Sequence, residues 1–129
     1  MTDGLLLALH PVLVAYDVPA SLAFFARLGF AERFRDDPEA PRYAAVRRGA
    51  IEFHLQWGAP ADQAGGDRPV YRFHVTDVDR LFDHWVAADA IAPDRMTGPY
   101  RRPADTPWGT REFHLHDPAG NGLQFYAVR

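Results

Sequence analysis

The chain has 129 residues, 47% of them hydrophobic, with a formal net charge of −3 and no cysteine. That length and composition suit one compact domain with a real core and exclude a largely disordered chain. The missing thiols exclude disulfides, thiolate metal sites and cysteine nucleophiles, while scattered arginines give no basic field for nucleic acid. No apolar run approaches the ~20 residues a spanning helix requires, which predicts no membrane partner. The start Met1-Thr2-Asp3-Gly4 lacks the basic opening and small-residue cleavage site of a signal peptide, so a cytoplasmic protein is expected.

In chain order, the first apolar strand runs through Leu13–Tyr16 into Asp17-Val18. Asp17 suits a helix cap, Pro19 a first turn and Gly29 a left-handed helix end, with Ser21 engaged at the helix start. Leu22, Phe25 and Ala26 then mark one face at helical spacing. Strands are predicted over 31–36, 42–48 and 50–57, and a Pro/Gly-rich linker over about 58–68. The pattern then repeats. Phe73-His74-Val75-Thr76-Asp77-Val78 leads into a second helix with Leu81, Trp85 and Ala88 on one face, 60 residues after the first (77 − 17). Strands are predicted over about 92–97, 110–116 and 122–128, and Asn121–Tyr126 overlays Gly49–His54. The fold class read from this order is α+β, two tandem βαβββ modules over about 5–57 and 69–129.

Strand parity assigns the side chains to faces, because successive residues point to opposite sides. Phe53, Phe73, Phe113 and Phe125 fall on the apolar face that a helix must cover. Glu52, His54, Arg72, His74, Glu112, His114, Gln124 and Tyr126 fall on the other. If two such faces curve toward each other they line a cavity; otherwise they are a solvated surface. His54, Arg72, His74, His114, Gln124 and Tyr126 are therefore the candidate ligand contacts, with Trp57 and Trp108 as rim aromatics and Trp85 in the core. The Pro-rich segment 98–108, with Tyr100, Arg101 and Arg102, reads as a loop bordering the binding mouth.

Two segments carry a resemblance. Asp17-Val-Pro-Ala-Ser21-Leu-Ala-Phe24-Phe25-Ala-Arg-Leu28-Gly29-Phe30 resembles the first-helix signature of the vicinal-oxygen-chelate superfamily, which unites glyoxalases, bleomycin-resistance proteins and extradiol dioxygenases. Trp108-Gly109 followed by Asp117-Pro118-Ala119-Gly120-Asn121 resembles its closing segment. Gly49-Ala50-Ile51-Glu52-Phe53-His54-Leu55 is similar to the end of the first module in bleomycin-resistance proteins, the members it looks closest to.

The resemblance implies half-barrels closed by homodimerisation. It also implies metal ligands, in the metal-dependent members, at positions that here hold His10, Glu52, Val70 and Gln124. Valine has no donor, and an amide binds Zn²⁺ or Fe²⁺ more weakly than a carboxylate. The expectation is a metal-free protein, without cofactor, that sequesters a small organic molecule between modules. The alternative is a glyoxalase-like lyase/isomerase or a dioxygenase holding one divalent metal ion on His10, Glu52 and Gln124. Function resides in the site rather than the fold, so the motifs leave both classes open.

Overall fold

The computed structural model describes residues 4–63 and 68–129, so the first three residues and part of the expected linker lie outside it. Among the described residues, two α-helices and eight strands follow the predicted order. In the first module β1 (Val12–Ala15) leads into α1 (Val18–Arg27), and β2 (Ala31–Arg35), β3 (Tyr43–Arg48) and β4 (Ile51–Trp57) follow. In the second, β5 (Val70–His74) leads into α2 (Val78–Ala87), followed by β6 (Ala104–Asp105), β7 (Thr110–His116) and β8 (Gly122–Val128). Each module forms its own four-stranded sheet, ordered β1-β4-β3-β2 and β5-β8-β7-β6. The first strand of each pairs parallel with the last, a connection that needs a crossover element, here the helix. Among the described residues no helix is long and apolar enough to cross a membrane.

The helix ends obey the same local chemistry twice. The Oδ1 of Asp17 accepts the Ala20 amide at 3.0 Å, and that of Asp77 accepts the Arg80 amide at 3.0 Å. Gly29 leaves α1 at φ 90°, whereas its counterpart after α2 is Asp89 at φ 52°, one of the few residue types that tolerate this region. Ser21 departs from expectation: it is fully buried, and its hydroxyl has no partner among the described residues.

Two further expectations are corrected. Residues 92–97 do not form a strand. Pro93–Arg95 makes one turn of 3₁₀ helix, since Pro93 has no N–H for a ladder and its fixed φ suits a helical start. The edge strand is instead β6, drawn from the segment read as a mouth loop, with Ala104 opposite Glu112 and Asp105 opposite Arg111. The overlay of the final strands also shifts by two residues. Val12 stands opposite His54 and Arg72 opposite Gln124, so His54 corresponds to Gln124 and Glu52 to Gly122. A two-residue shift preserves parity, which is why the faces survive it.

The apolar faces meet in one core shared by both modules. Phe25 packs on Phe53 at 4.8 Å, Phe53 on Phe73 at 6.1 Å, and Phe73 on Phe125 at 4.8 Å, and Trp85 closes over Phe125 at 5.0 Å. The Asp117–Asn121 turn ties the second module to the first. Buried Asp117 accepts the amides of Ala119 and Asn121 at 3.0 and 2.8 Å, and the Asn121 side chain donates to the Val14 carbonyl of β1 at 2.8 Å. Removing a ring from this row leaves a cavity that neighbouring rings cannot refill. Phe53→Ala or Phe125→Ala should cost roughly 3–5 kcal/mol. His54→Ala, on the opposite face, should cost clearly less, and denaturant unfolding of the three variants checks the difference.

Candidate ligand-binding site

The polar face of the second sheet is a grid fixed by strand register. Arg72, Gln124 and His114 are neighbours across β5, β8 and β7, and His74, Tyr126 and Glu112 form the next row. Glu112 lies at its centre with no solvent exposure. Such a burial demands donors, and the grid supplies five. Arg72 donates from Nη1 to Oε1 at 3.1 Å and from Nη2 to Oε2 at 2.9 Å. His114 Nε2 donates at 2.8 Å, Trp108 Nε1 at 3.0 Å, and the Thr110 hydroxyl completes the set. Burial alone would raise the Glu112 carboxyl, but the donors, Arg72 foremost, outweigh it and hold it far below the usual carboxylate range.

Around this centre the expected contacts assemble. The Arg72 guanidinium lies 4.2 Å above the Tyr126 ring, and His74 stacks on Tyr126 at 4.9 Å with planes 13° apart. Gln124 Oε1 accepts from Arg72 Nη1 at 2.6 Å. Tyr100 from the preceding segment packs against His114 at 4.9 Å and Trp108 at 5.9 Å. Six of the eight predicted contacts, Arg72, His74, Trp108, His114, Gln124 and Tyr126, therefore share the second sheet's face.

The other two do not join them. His54 belongs to the first sheet, where Tyr43 donates to its Nδ1 at 2.6 Å and its Nε2 donates to Glu52 at 3.1 Å. Trp57 lies beneath the Arg42 guanidinium at 4.2 Å, beside a small cleft at the start of α1. A larger cleft of about 1010 Å³ runs beside β5 and the segment Leu7–Pro11, and of the eight only Arg72 and His74 line it.

The metal alternative regroups in the same way. His10 Nε2 lies 3.5 Å from Glu52 Oε2, and ligand atoms of His10, Glu52 and His54 all fall within 4.8 Å of one another. The His54 hydrogen bond lowers the Glu52 carboxyl, and the nearby His10 and Arg33 charges add to the effect. Gln124 faces a guanidinium instead, whose positive charge opposes a cation beside it. Of the set His10, Glu52 and Gln124, the single chain brings the first two together, with His54 beside them, while Gln124 is engaged by Arg72.

The comparisons agree with this architecture. The family model of the Glyoxalase/Bleomycin resistance protein/Dioxygenase superfamily matches residues 8–125. The chain belongs to this superfamily. Among solved structures, the bleomycin-binding protein from bleomycin-producing Streptomyces verticillus, complexed with copper(II)-bleomycin, is 33% identical over 100% of both chains at a TM-score of 0.72. A bleomycin-binding protein complexed with bleomycin is 21% identical, over 96% of this chain and 100% of that one, at a TM-score of 0.75. A glyoxalase-related enzyme from Clostridium phytofermentans is 20% identical, over 99% and 100%, at a TM-score of 0.71. Likeness at the last two levels of identity shows the fold alone. Among curated proteins, none matches the chain.

Glu112 and its donors make superfamily member and candidate site pH-sensitive together. The native carboxylate stays ionised where its unfolded counterpart, near ~4.3, takes up a proton. Its contribution is thus complete above that range and is lost as pH falls through it and below. Asp117, which burial pushes up, acts in the opposite sense. Glu112→Gln should cost roughly 2–4 kcal/mol at pH 7, because Arg72 loses its anion. The variant should also lose less stability than the parent between about pH 5 and 3. Since Asp117 is common to both proteins, guanidinium denaturation of the pair across that range isolates Glu112.

Proposed function

We propose that the chain is a metal-free binding protein that sequesters a small organic molecule on the polar face of its second sheet. One observation carries the reading: Glu112, fully buried, clamps Arg72 over Tyr126, so a cationic and aromatic surface is held in place before any ligand arrives. Preorganised polar groups beside flat rings fix a ligand's orientation at low entropic cost. Val70, without a donor atom, and Gln124, engaged by Arg72, support the metal-free part. The 33%-identical relative complexed with copper(II)-bleomycin supports a ligand of that general kind. Isothermal titration with bleomycin, metal-free and copper(II)-loaded, tests it on native and chelator-treated protein. Binding should survive chelation and weaken about tenfold in Tyr126→Ala, matching the ~1–1.5 kcal/mol of a lost ring contact.

The His10–Glu52–His54 group favours a second reading, a metal-dependent lyase, isomerase or dioxygenase. If binding or turnover vanishes on chelation and returns with one divalent ion, that reading replaces the first.

The working unit, in this proposal, is a homodimer. Each sheet has four strands and does not close on itself in one chain, and closing a half-barrel needs a second surface. Leu6, Leu7 and Leu9 are 89, 92 and 87% exposed in one short segment, a concentration of apolar surface that marks an association site. Sedimentation should show a dimer at micromolar concentration. Leu6→Ser with Leu7→Ser and Leu9→Ser should weaken it at least tenfold, given ~1.5–3 kcal/mol per buried leucine. A stable monomer would remove the dimer from the proposal.

A further inference from the structure

The Arg72 guanidinium has one binding edge in use and another open. An arginine carries five N–H donors in a planar fork. Two of them, one each from Nη1 and Nη2, meet the two oxygens of Glu112, and the second Nη1 hydrogen goes to Gln124. The Nε–H and the second Nη2–H remain, and they lie parallel along the other edge of the same plane. No further hydrogen-bond partner of Arg72 is found among the described residues. Its side chain is 39% exposed and lines the large cleft together with His74. The His74 ring nitrogens likewise have no hydrogen-bond partner among the described residues, although the ring is held parallel to Tyr126.

We infer that the open edge of Arg72 receives a planar carboxylate on the ligand, with the flat remainder of the ligand lying against the His74–Tyr126 pair. This rests on the second-sheet binding reading and names its ligand class. Two parallel N–H donors match the two oxygens of a carboxylate, which a single ammonium cannot reproduce. Glu112 does not compete for the fork. It occupies the neighbouring Nη1–Nη2 edge, which meets the open edge at Nη2, and fixes the guanidinium by geometry rather than by contact with ligand. The attraction to the nearer cation exceeds the repulsion from the farther carboxylate, because Coulomb energy falls with distance. Glu112 and Gln124 are thus positioning residues for a specificity-determining arginine.

The experiment reads the Arg72 Nε–H resonance by two-dimensional NMR in the whole protein, assigned by its absence in Arg72→Lys. The probes are benzoate, its neutral analogue benzamide, and inorganic phosphate. Benzoate should shift the Arg72 Nε–H saturably, bind at least tenfold more tightly than benzamide, and bind more tightly than phosphate. Arg72→Lys should weaken benzoate at least tenfold. The wild-type resonance reports directly, so the inference stays testable if that variant folds poorly. Equal binding of benzoate and benzamide, an unmoved Nε–H, or phosphate bound as tightly as benzoate would each overturn it. Bleomycin binding without any benzoate effect at Arg72 would retire the carboxylate while leaving the proposed function intact. Loss of bleomycin binding with the benzoate shift present would do the reverse.

Discussion

Burying one carboxylate organises the whole second sheet. Glu112 has no water to solvate it, so its two oxygens must be met from within, and meeting them places Arg72, His114, Thr110 and Trp108 at fixed positions. Arg72 comes from β5, His114 and Thr110 share β7 with the acid, and Trp108 lies on the approach to β7. The charge therefore fixes β5 against β7 across the intervening β8, beyond what ladder hydrogen bonds supply. An aromatic layer rests on that frame, since Tyr126 takes the Arg72 guanidinium on its ring and His74 beside it. The candidate site is thus a by-product of satisfying one buried ion.

The first module has the same topology and a different chemistry. Where the second sheet clamps Arg72 on a buried glutamate, the first sets His10 and His54 beside the more accessible Glu52, with Tyr43 on His54 and Arg33 3.8 Å from the carboxylate. Strand register makes His54 the counterpart of Gln124 and Tyr43 the counterpart of Glu112. Equivalent positions thus hold unrelated side chains, while the caps at Asp17 and Asp77 and the helices after them stay alike. The residues that folding demands are alike in both modules and the site residues differ, as expected when function is grafted onto a scaffold.

How much of this was legible in the sequence depended on how local the controlling physics was. Asp17, Asp77, Pro19 and Gly29 act within one turn of chain, and the helices lie where those residues put them. Alternation put Phe53, Phe113 and Phe125 into the core, and a two-residue error in overlaying the modules did no harm to it. The strand expected over 92–97 failed at Pro93, whose local preference outranked the repeat. Alternation puts Glu112 on the polar face and carries no sign of its total burial. Thr110 and His114 share its side of β7 and were available as a signal; Arg72 reaches it from two strands away, a contact only the folded register reveals. The separation of His54 and Trp57 from the other candidates has the same origin, because parity assigns a face within one sheet and says nothing of how two sheets face each other.

The amide of Asn121 that grips the Val14 carbonyl gives the molecule a particular assembly history. Val14 and Asn121 stand 107 residues apart, so the ribosome makes the carbonyl well before the amide that grips it. β1 and β4 are both made before the turn that carries this anchor, so their pairing can precede it. A contact of such high sequence separation is entropically expensive to form and tends to come late in folding. A nascent first module therefore holds its outermost strand without that anchor, while Leu6, Leu7 and Leu9 just upstream, exposed even in the folded chain, are open to contact with another chain.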